Sequence, residues 1–199
     1  MFEDKFDIGI VHTDADFAAM KKIRTAVFVN EAHIPENKEF DGNVYCAAHV
    51  LAKVNGEAQG TMRVRFFSGF VKFERMAVMP EYRKTTMADQ IMQYGFDYAT
   101  AKGYETVYGV CKKELLARWE KNGYLRIEDA PTIEQNGMTL IPIMRKWPTN
   151  ENSLSLQSKF ELLNLPEGEW PQMDTIRLHE DNEKSYLNFV MRKLNKSHE

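Results

Sequence analysis

Residues 73–90 read Phe73-Glu74-Arg75-Met76-Ala77-Val78-Met79-Pro80-Glu81-Tyr82-Arg83-Lys84-Thr85-Thr86-Met87-Ala88-Asp89-Gln90. A strand-like stretch ends at a proline, a short polar loop turns, and a helix begins. Over 83–102, Ala88, Ile91, Met92, Gly95, Tyr98 and Ala99 recur at three- and four-residue steps, the apolar stripe of an amphipathic helix. Gly103 sits where a left-handed C-cap belongs. The first N–H groups of such a helix lack partners within it, and its dipole favours an anion there. Arg83 and Lys84 add positive charge beside them. A strand feeding this loop, if splayed from its neighbour, offers unpaired backbone groups to an extended ligand arm.

Working outward, the chain upstream reads as a meander. Tyr45 to Val54 and Glu57 to Phe67 flank Asn55-Gly56, a pair that tolerates the positive φ values of a tight hairpin turn. Ser68-Gly69 then turns into a third strand, Phe70 to Met79. Alternation along that strand puts Phe73 and Arg75 on the face opposite Glu74. Earlier still, Phe6 to His12 reads as a strand. Asp14 or Asp16 then caps a helix with Phe17, Met20, Ile23, Val27 and Phe28 at helical spacing. Residues 30–43, with Pro35 and Gly42, read as an exposed loop.

Downstream, Tyr104 to Cys111 is a strand and Lys112 to Asn122 a short helix stopped by Gly123. Strands fit Tyr124 to Glu128 and Met138 to Lys146, with Pro142 marking a bulge or an edge. The order β-α-β-β-β-α-β-α-β-β ends near Trp147. It predicts an α/β (α+β) fold with a mixed, mostly antiparallel sheet between helices. Pro148-Thr149-Asn150 reads as a linker to two amphipathic stretches. Leu156, Phe160 and Leu163 share a face of 154–165; Tyr186, Leu187, Val190 and Leu194 share one of 183–194. The expected division is residues 1–147 as the domain and 148–199 as a helical extension. That extension is too short for its own core and packs on the domain or on a second subunit, a homodimer.

Composition bounds the function classes. The 199 residues are 43% hydrophobic and 28% charged, ordinary for a folded globular chain. Lys and Arg number 26 against 29 Asp and Glu, for a net charge of −3, so no basic excess drives nucleic-acid binding. Cys46 and Cys111 lack the spacing of a metal site and are too few for a disulfide scaffold, so no metal is expected. No apolar signal core opens the chain, and no run approaches the ~20 apolar residues of a membrane span. A cytoplasmic protein without membrane contact is the expectation.

The motifs, taken in order, resemble the GNAT N-acetyltransferase superfamily. There a strand ending in a hydrophobic-Ala-Val stretch leads to Arg-x-x-Gly-x-Gly/Ala. This chain has Met76-Ala77-Val78, then Arg83-Lys84-Thr85-Thr86-Met87-Ala88. Ile23 to Glu31, Ile34-Pro35, Glu39-Phe40-Asp41, His49, Gly60-Thr61-Met62-Arg63 and Phe73-Glu74-Arg75 look like a recurrent bacterial subgroup. Arg118 to Tyr124 is similar to the family's Tyr-Glu-Lys-x-Gly-Phe motif. The resemblance covers about residues 6–147.

The resemblance implies acyl transfer from acetyl-CoA or another acyl-CoA to the amine of a small molecule. Arg83, Lys84, Thr85, Thr86, Met87 and Ala88 would hold the pyrophosphate. Met76, Ala77 and Val78 would meet the pantetheine through their backbone, with an oxyanion donor near Val78. Three positions depart from the pattern. Thr86 stands at a usual glycine, Trp119 at a tyrosine often assigned as the acid for the leaving thiol, and Lys112 at an asparagine that contacts pantetheine. These departures are similar to acyl-homoserine lactone and N-acyl amino acid synthases, which take acyl groups from acyl carrier protein. Lys84, Lys112 and Lys113 would then meet that acidic partner. A non-catalytic acyl-thioester-binding protein is the third reading.

Individual residues carry alternatives. Glu74 is the candidate base, or a strand carboxylate in an ion pair. Arg75 binds a substrate anion, or completes that pair. Arg24 and Phe28 face an acceptor pocket, or Arg24 bridges its helix to the following loop. Glu39 and Asp41 bind a cationic acceptor, or are solvated loop charges. His49 reads as a packed core histidine and Tyr124 as a buried aromatic, the latter with an alternative role as proton donor.

Overall fold

The computed structural model describes residues 6–135, 137–148 and 151–170. In chain order the strands are β1 Asp7–Ile10, β2 Ala48–Val54, β3 Glu57–Phe67, β4 Phe70–Val78, β5 Thr106–Lys112, β6 Leu125–Arg126, β7 Ile133–Gln135 and β8 Met138–Lys146. The α-helices are α1 Asp14–Arg24, α2 Glu36–Glu39, α3 Met87–Ala101, α4 Leu116–Lys121 and α5 Phe160–Leu163. A π-helical segment, Thr25–Glu31, continues α1. The strands form one sheet in the order β1-β2-β3-β4-β5-β8-β6, with β7 also on β8. Every pairing is antiparallel except β4 with β5.

Turn chemistry sets the meander. Asn55 at φ 51° and Gly56 at φ 82° join β2 to β3, two left-handed residues in the type that matches strand twist. The N-cap of α1 is Thr13, whose hydroxyl accepts the Asp16 N–H at 3.1 Å, in place of the expected Asp14 or Asp16. Gly103, φ 81°, ends α3 as expected.

The two faces of the sheet bury different cores. Val50, Ala52, Met62, Val64, Val71 and Val78 meet α3 through Met87, Ile91, Tyr98 and Ala99. Leu51 and Ala77 on the other face meet Met20 and Ile23 of α1. Helix α3 comes close because Gly95 carries no side chain. A Cβ there would lie 2.4 Å from the Met62 methyl and 3.2 Å from the Phe73 ring. Pro142 is tolerated inside β8 because its carbonyl, which accepts Ile127 N–H, faces β6 and β7. Its missing N–H falls on that same side, between those two short strands.

The described residues after β8 depart from the helical expectation. The 154–165 stretch forms only the single turn α5, and Leu156, Phe160 and Leu163 are exposed. The Leu154 N–H donates to Ala101 O at 2.8 Å and Leu165 is buried, and further contact with the domain comes from farther along. Trp170 stacks on Tyr98 at 5.8 Å, and Glu167 binds Tyr98 and Lys102 of the α3 end. The Glu167 carbonyl also takes the ring of His12 beside β1 at 2.6 Å. The second stretch, 183–194, lies outside the described residues. No helix among the described residues is long and apolar enough to cross a membrane.

Candidate active site

β4 and β5 are partners over only two residue pairs, Val71 with Val107 and Lys72 with Tyr108. Beyond these, β5 stays with β8 as far as Lys112 while β4 stays with β3. A wedge therefore opens along one edge of β4. A bulge helps to open it: Thr61 faces Ala77 and Arg63 faces Glu74, so Arg75 and Met76 together oppose Met62. Arg75 adopts φ 55°, a left-handed conformation unusual for a residue with a side chain.

The bulge overturns the alternation expected for this strand. Glu74 and Arg75 now reach the same α1-side face, and Phe73 and Met76 the α3 side. It also sets the backbone phase that follows. Met79 N–H donates to Gln59 O at 2.8 Å, so Met79 and Ala77 point their backbone groups at β3. The N–H and C=O groups of Met76 and Val78 consequently face the open edge.

The loop to α3 lies at the end of that edge. After a 3-10 turn over Pro80–Tyr82, Thr85 Oγ donates to Tyr82 O at 2.7 Å and accepts Met87 N–H at 3.2 Å. Residues 83–88 adopt no positive φ, so the loop does not need the conformational freedom of the glycine that Thr86 replaces. The Thr86 side chain turns outward and accepts Gln90 Nε2 at 2.9 Å. Arg83, Lys84 and Ala88 are exposed and Met87 is buried in the core. Lys112 is exposed at the end of β5. Arg83 is already engaged: Nη1 and Nη2 bind the two Glu31 oxygens at 2.7 and 2.5 Å, and Nε donates to Val78 O at 3.0 Å.

Beside the wedge, on the α1 face, a charged cluster ties the 36–45 loop to the sheet. Arg24 and Glu39 are both fully buried. Arg24 Nε meets Glu39 Oε1 at 2.5 Å, and its Nη2 meets the Glu39 carbonyl at 2.7 Å. Arg75 Nε lies 2.7 Å from Glu39 Oε2, an ion pair by distance that lacks hydrogen-bond alignment. Arg75 also sits 6.0 Å above the Phe28 ring. Asp41 binds buried Arg63 at 2.7 Å. Burial opposes ionisation of Asp41, but hydrogen bonds from Arg63 and Asn43 and the charges of Arg63 and Arg75 outweigh it and lower its pKa to about 2.

Glu74 sits among cations, 2.8 Å from both Arg63 and Lys72 and 3.8 Å from Arg65. Burial pushes its proton affinity up, yet the Lys72 bond and the Arg63 charge prevail and hold it below the ordinary carboxylate value. His49 neighbours Arg63 across β2 and β3. Its Nε2 contacts Val44 O at 2.8 Å, and its Nδ1 is buried without a partner. Burial, aided by the charges of Arg24 and Arg63, lowers its pKa to about 4 despite the Val44 bond, so the ring is neutral.

The candidates thus fall into two groups around one strand. Met76, Val78, Arg83, Lys84, Thr85, Thr86 and Ala88 line the wedge and loop. Arg24, Phe28, Glu39, Asp41, Glu74 and Arg75 form the cluster. Within it Arg24 bridges its helix to the loop, and Glu39 is sealed from solvent. Ala77 lies in the α1-side core and presents its backbone to β3. Trp119 meets Tyr124 edge-on at 4.9 Å. Tyr124 is buried against Met92, and burial raises its pKa to about 12. Sequence reasoning passed over Arg65, Lys72 and Glu31. Once β3 and β4 are paired, Arg63 with Glu74 and Arg65 with Lys72 become facing pairs, a signal available from the hairpin register.

The open edge of β4 thus runs directly into the loop that starts α3. The family model for the acetyltransferase (GNAT) family matches residues 17–124, and the chain belongs to that family. The Bacillus subtilis (strain 168) uncharacterized protein YyaT is 35% identical over 122 residues, 59% of this chain and 82% of its own length. An acyl-CoA N-acyltransferase from Pseudomonas aeruginosa superposes with a TM-score of 0.64 at 21% identity, covering 71% of this chain and 99% of its own. Escherichia coli ElaA does so at 0.62 and 20%, covering 71% and 100%. The CoA-dependent acyl-homoserine lactone synthase BjaI is more distant in sequence, at 0.60 and 14%, covering 71% and 83%. These likenesses are of fold.

Proposed function

We propose that the protein transfers an acetyl or other short acyl group from an acyl-CoA to the amine of a small molecule. The open edge of β4, ending at the start of α3, carries this reading. A pantetheine arm is an extended chain with two amides, and the outward backbone groups of Met76 and Val78 suit it as a strand would. The 83–88 loop and the N-terminus of α3 suit the pyrophosphate at its end. The donor brings a thioester carbonyl open to attack by a neutral amine.

In this reading the Val78 N–H, on the open edge, stabilises the oxygen of the tetrahedral adduct. The acceptor enters from the α1 face, where five cations (Arg24, Arg63, Arg65, Lys72 and Arg75) meet three carboxylates (Glu39, Asp41 and Glu74). The excess positive charge rests on the partly exposed Arg65, Lys72 and Arg75, matching an acceptor that carries an anionic group beside its amine. Glu74 receives the ammonium proton through water, and the freed amine attacks the thioester carbon. Collapse of the adduct breaks the C–S bond, the departing thiolate of coenzyme A taking up the proton that the new amide nitrogen loses. The lowered proton affinity of Glu74 makes it a weak base, so its contribution falls short of the roughly 10²- to 10⁴-fold of a well-matched one. Glu74→Gln is expected to lower kcat/KM at neutral pH by about tenfold, with donor affinity intact. Unchanged turnover removes Glu74 from the mechanism.

A further inference from the structure

Arg83 is a cation of the proposed pyrophosphate loop, and three of its N–H donors are already in use. A guanidinium has five N–H donors. At least one from each nitrogen is in use, two aimed at the Glu31 carboxylate and one at the Val78 carbonyl. Glu31 comes from another part of the chain, at the end of the π-helical segment, 52 residues away in sequence. It offers the two-oxygen fork that a phosphate also offers to arginine. The pair is exposed, with 38% and 52% of the side chains open to solvent, so it can be exchanged without dismantling the core.

From this geometry we infer that Glu31 is a built-in competitor for the donor's pyrophosphate at Arg83, a latch that donor binding must exchange. The inference rests on the acyl-CoA reading above. The carboxylate and the pyrophosphate are both anionic and claim the same N–H groups, so they cannot hold the fork together. The exchange has a second effect. When Arg83 turns to a phosphate, Nε leaves the Val78 carbonyl, and an acceptor on the open edge of β4 becomes available to the pantetheine arm. The other end of the latch reaches the acceptor side, because the same π-helical segment carries Phe28 against Arg75.

A calorimetric titration with acetyl-CoA tests this on four proteins: wild type, Glu31→Gln, Arg83→Gln and the double variant. An exposed ion pair has a modest strength, so Glu31→Gln should bind the donor about two- to fivefold more tightly than wild type. The same change placed in the Arg83→Gln background should alter affinity by less than about twofold, since the competition acts through Arg83. Melting temperatures of all four proteins establish that each is folded. Equal or weaker binding by folded Glu31→Gln overturns the latch while leaving the donor reading intact. An equal gain in both backgrounds assigns Glu31 a general electrostatic effect and also overturns it. No binding by any of the four proteins overturns the donor reading, and the latch with it.

Discussion

Arg75 shows how much one residue can decide. Its left-handed backbone creates the bulge that brings Glu74 and Arg75 to one face and turns Met76 and Val78 to the open edge. Such a conformation costs of order 1–3 kcal/mol and is held here by the ion pair to Glu39. Glu39 is wholly buried between two arginines. Removing one member of a buried pair leaves the others uncompensated, so Glu39→Ala should destabilise the fold by about 3–5 kcal/mol in chemical denaturation. His49 makes stability depend on pH. Its folded pKa of about 4 lies below its ordinary value of 6.5, so between these values the unfolded chain binds the extra proton. Stability should therefore fall as pH drops from 6.5 towards 4, and His49→Gln should flatten that part of a melting-temperature profile. Asp41 adds a separate loss at lower pH. Its stabilisation is complete above its ordinary value of 3.8 and disappears as pH falls through about 2.

At the scale of elements, the parts written in local chemistry were legible and the parts set by distant contacts were not. Asn55-Gly56 announces its hairpin because only a few residues accept two successive left-handed conformations. The stripe on α3 announces its buried face: Ile91, Gly95, Tyr98 and Ala99 are buried and Met92 half-buried, while Ala88 in the first turn is exposed. Gly95 is part of that message, since its missing side chain lets α3 settle on Met62 and Phe73. Gly95→Leu should cost about 1–3 kcal/mol by overpacking, read as a lower denaturation midpoint with an unchanged slope. The bulge left no local mark, because strand alternation assumes an unbroken ladder. Residues 30–43 looked like a solvated loop because the ionic partners of Glu39 and Asp41 lie on α1, β3 and β4, remote in sequence. The 154–165 stretch has helical spacing, yet Leu156, Phe160 and Leu163 of its expected face are left exposed while Leu165 is buried.

For the whole molecule, the GNAT fold was readable from the order of its motifs, since the open-edged strand, loop and helix come from one continuous stretch, residues 70–101. The face proposed to receive the acceptor is assembled from α1, the loop after it and two strands, so its charge balance emerges only when the sheet is paired. The structural neighbours named above use about 71% of this chain and most or all of their own. Residues 151–170 reach back to Tyr98, Lys102 and His12. We propose that this segment braces the domain. Trp170→Ala, which removes the stack on Tyr98, should lower the melting temperature while leaving donor affinity unchanged. The central claim is that the open edge of β4 and the loop before α3 receive an acyl-CoA. Isothermal titration of the wild-type protein with acetyl-CoA and with free coenzyme A tests it directly. The account predicts saturable, micromolar, salt-sensitive binding of both. Heats indistinguishable from dilution for both ligands would contradict it.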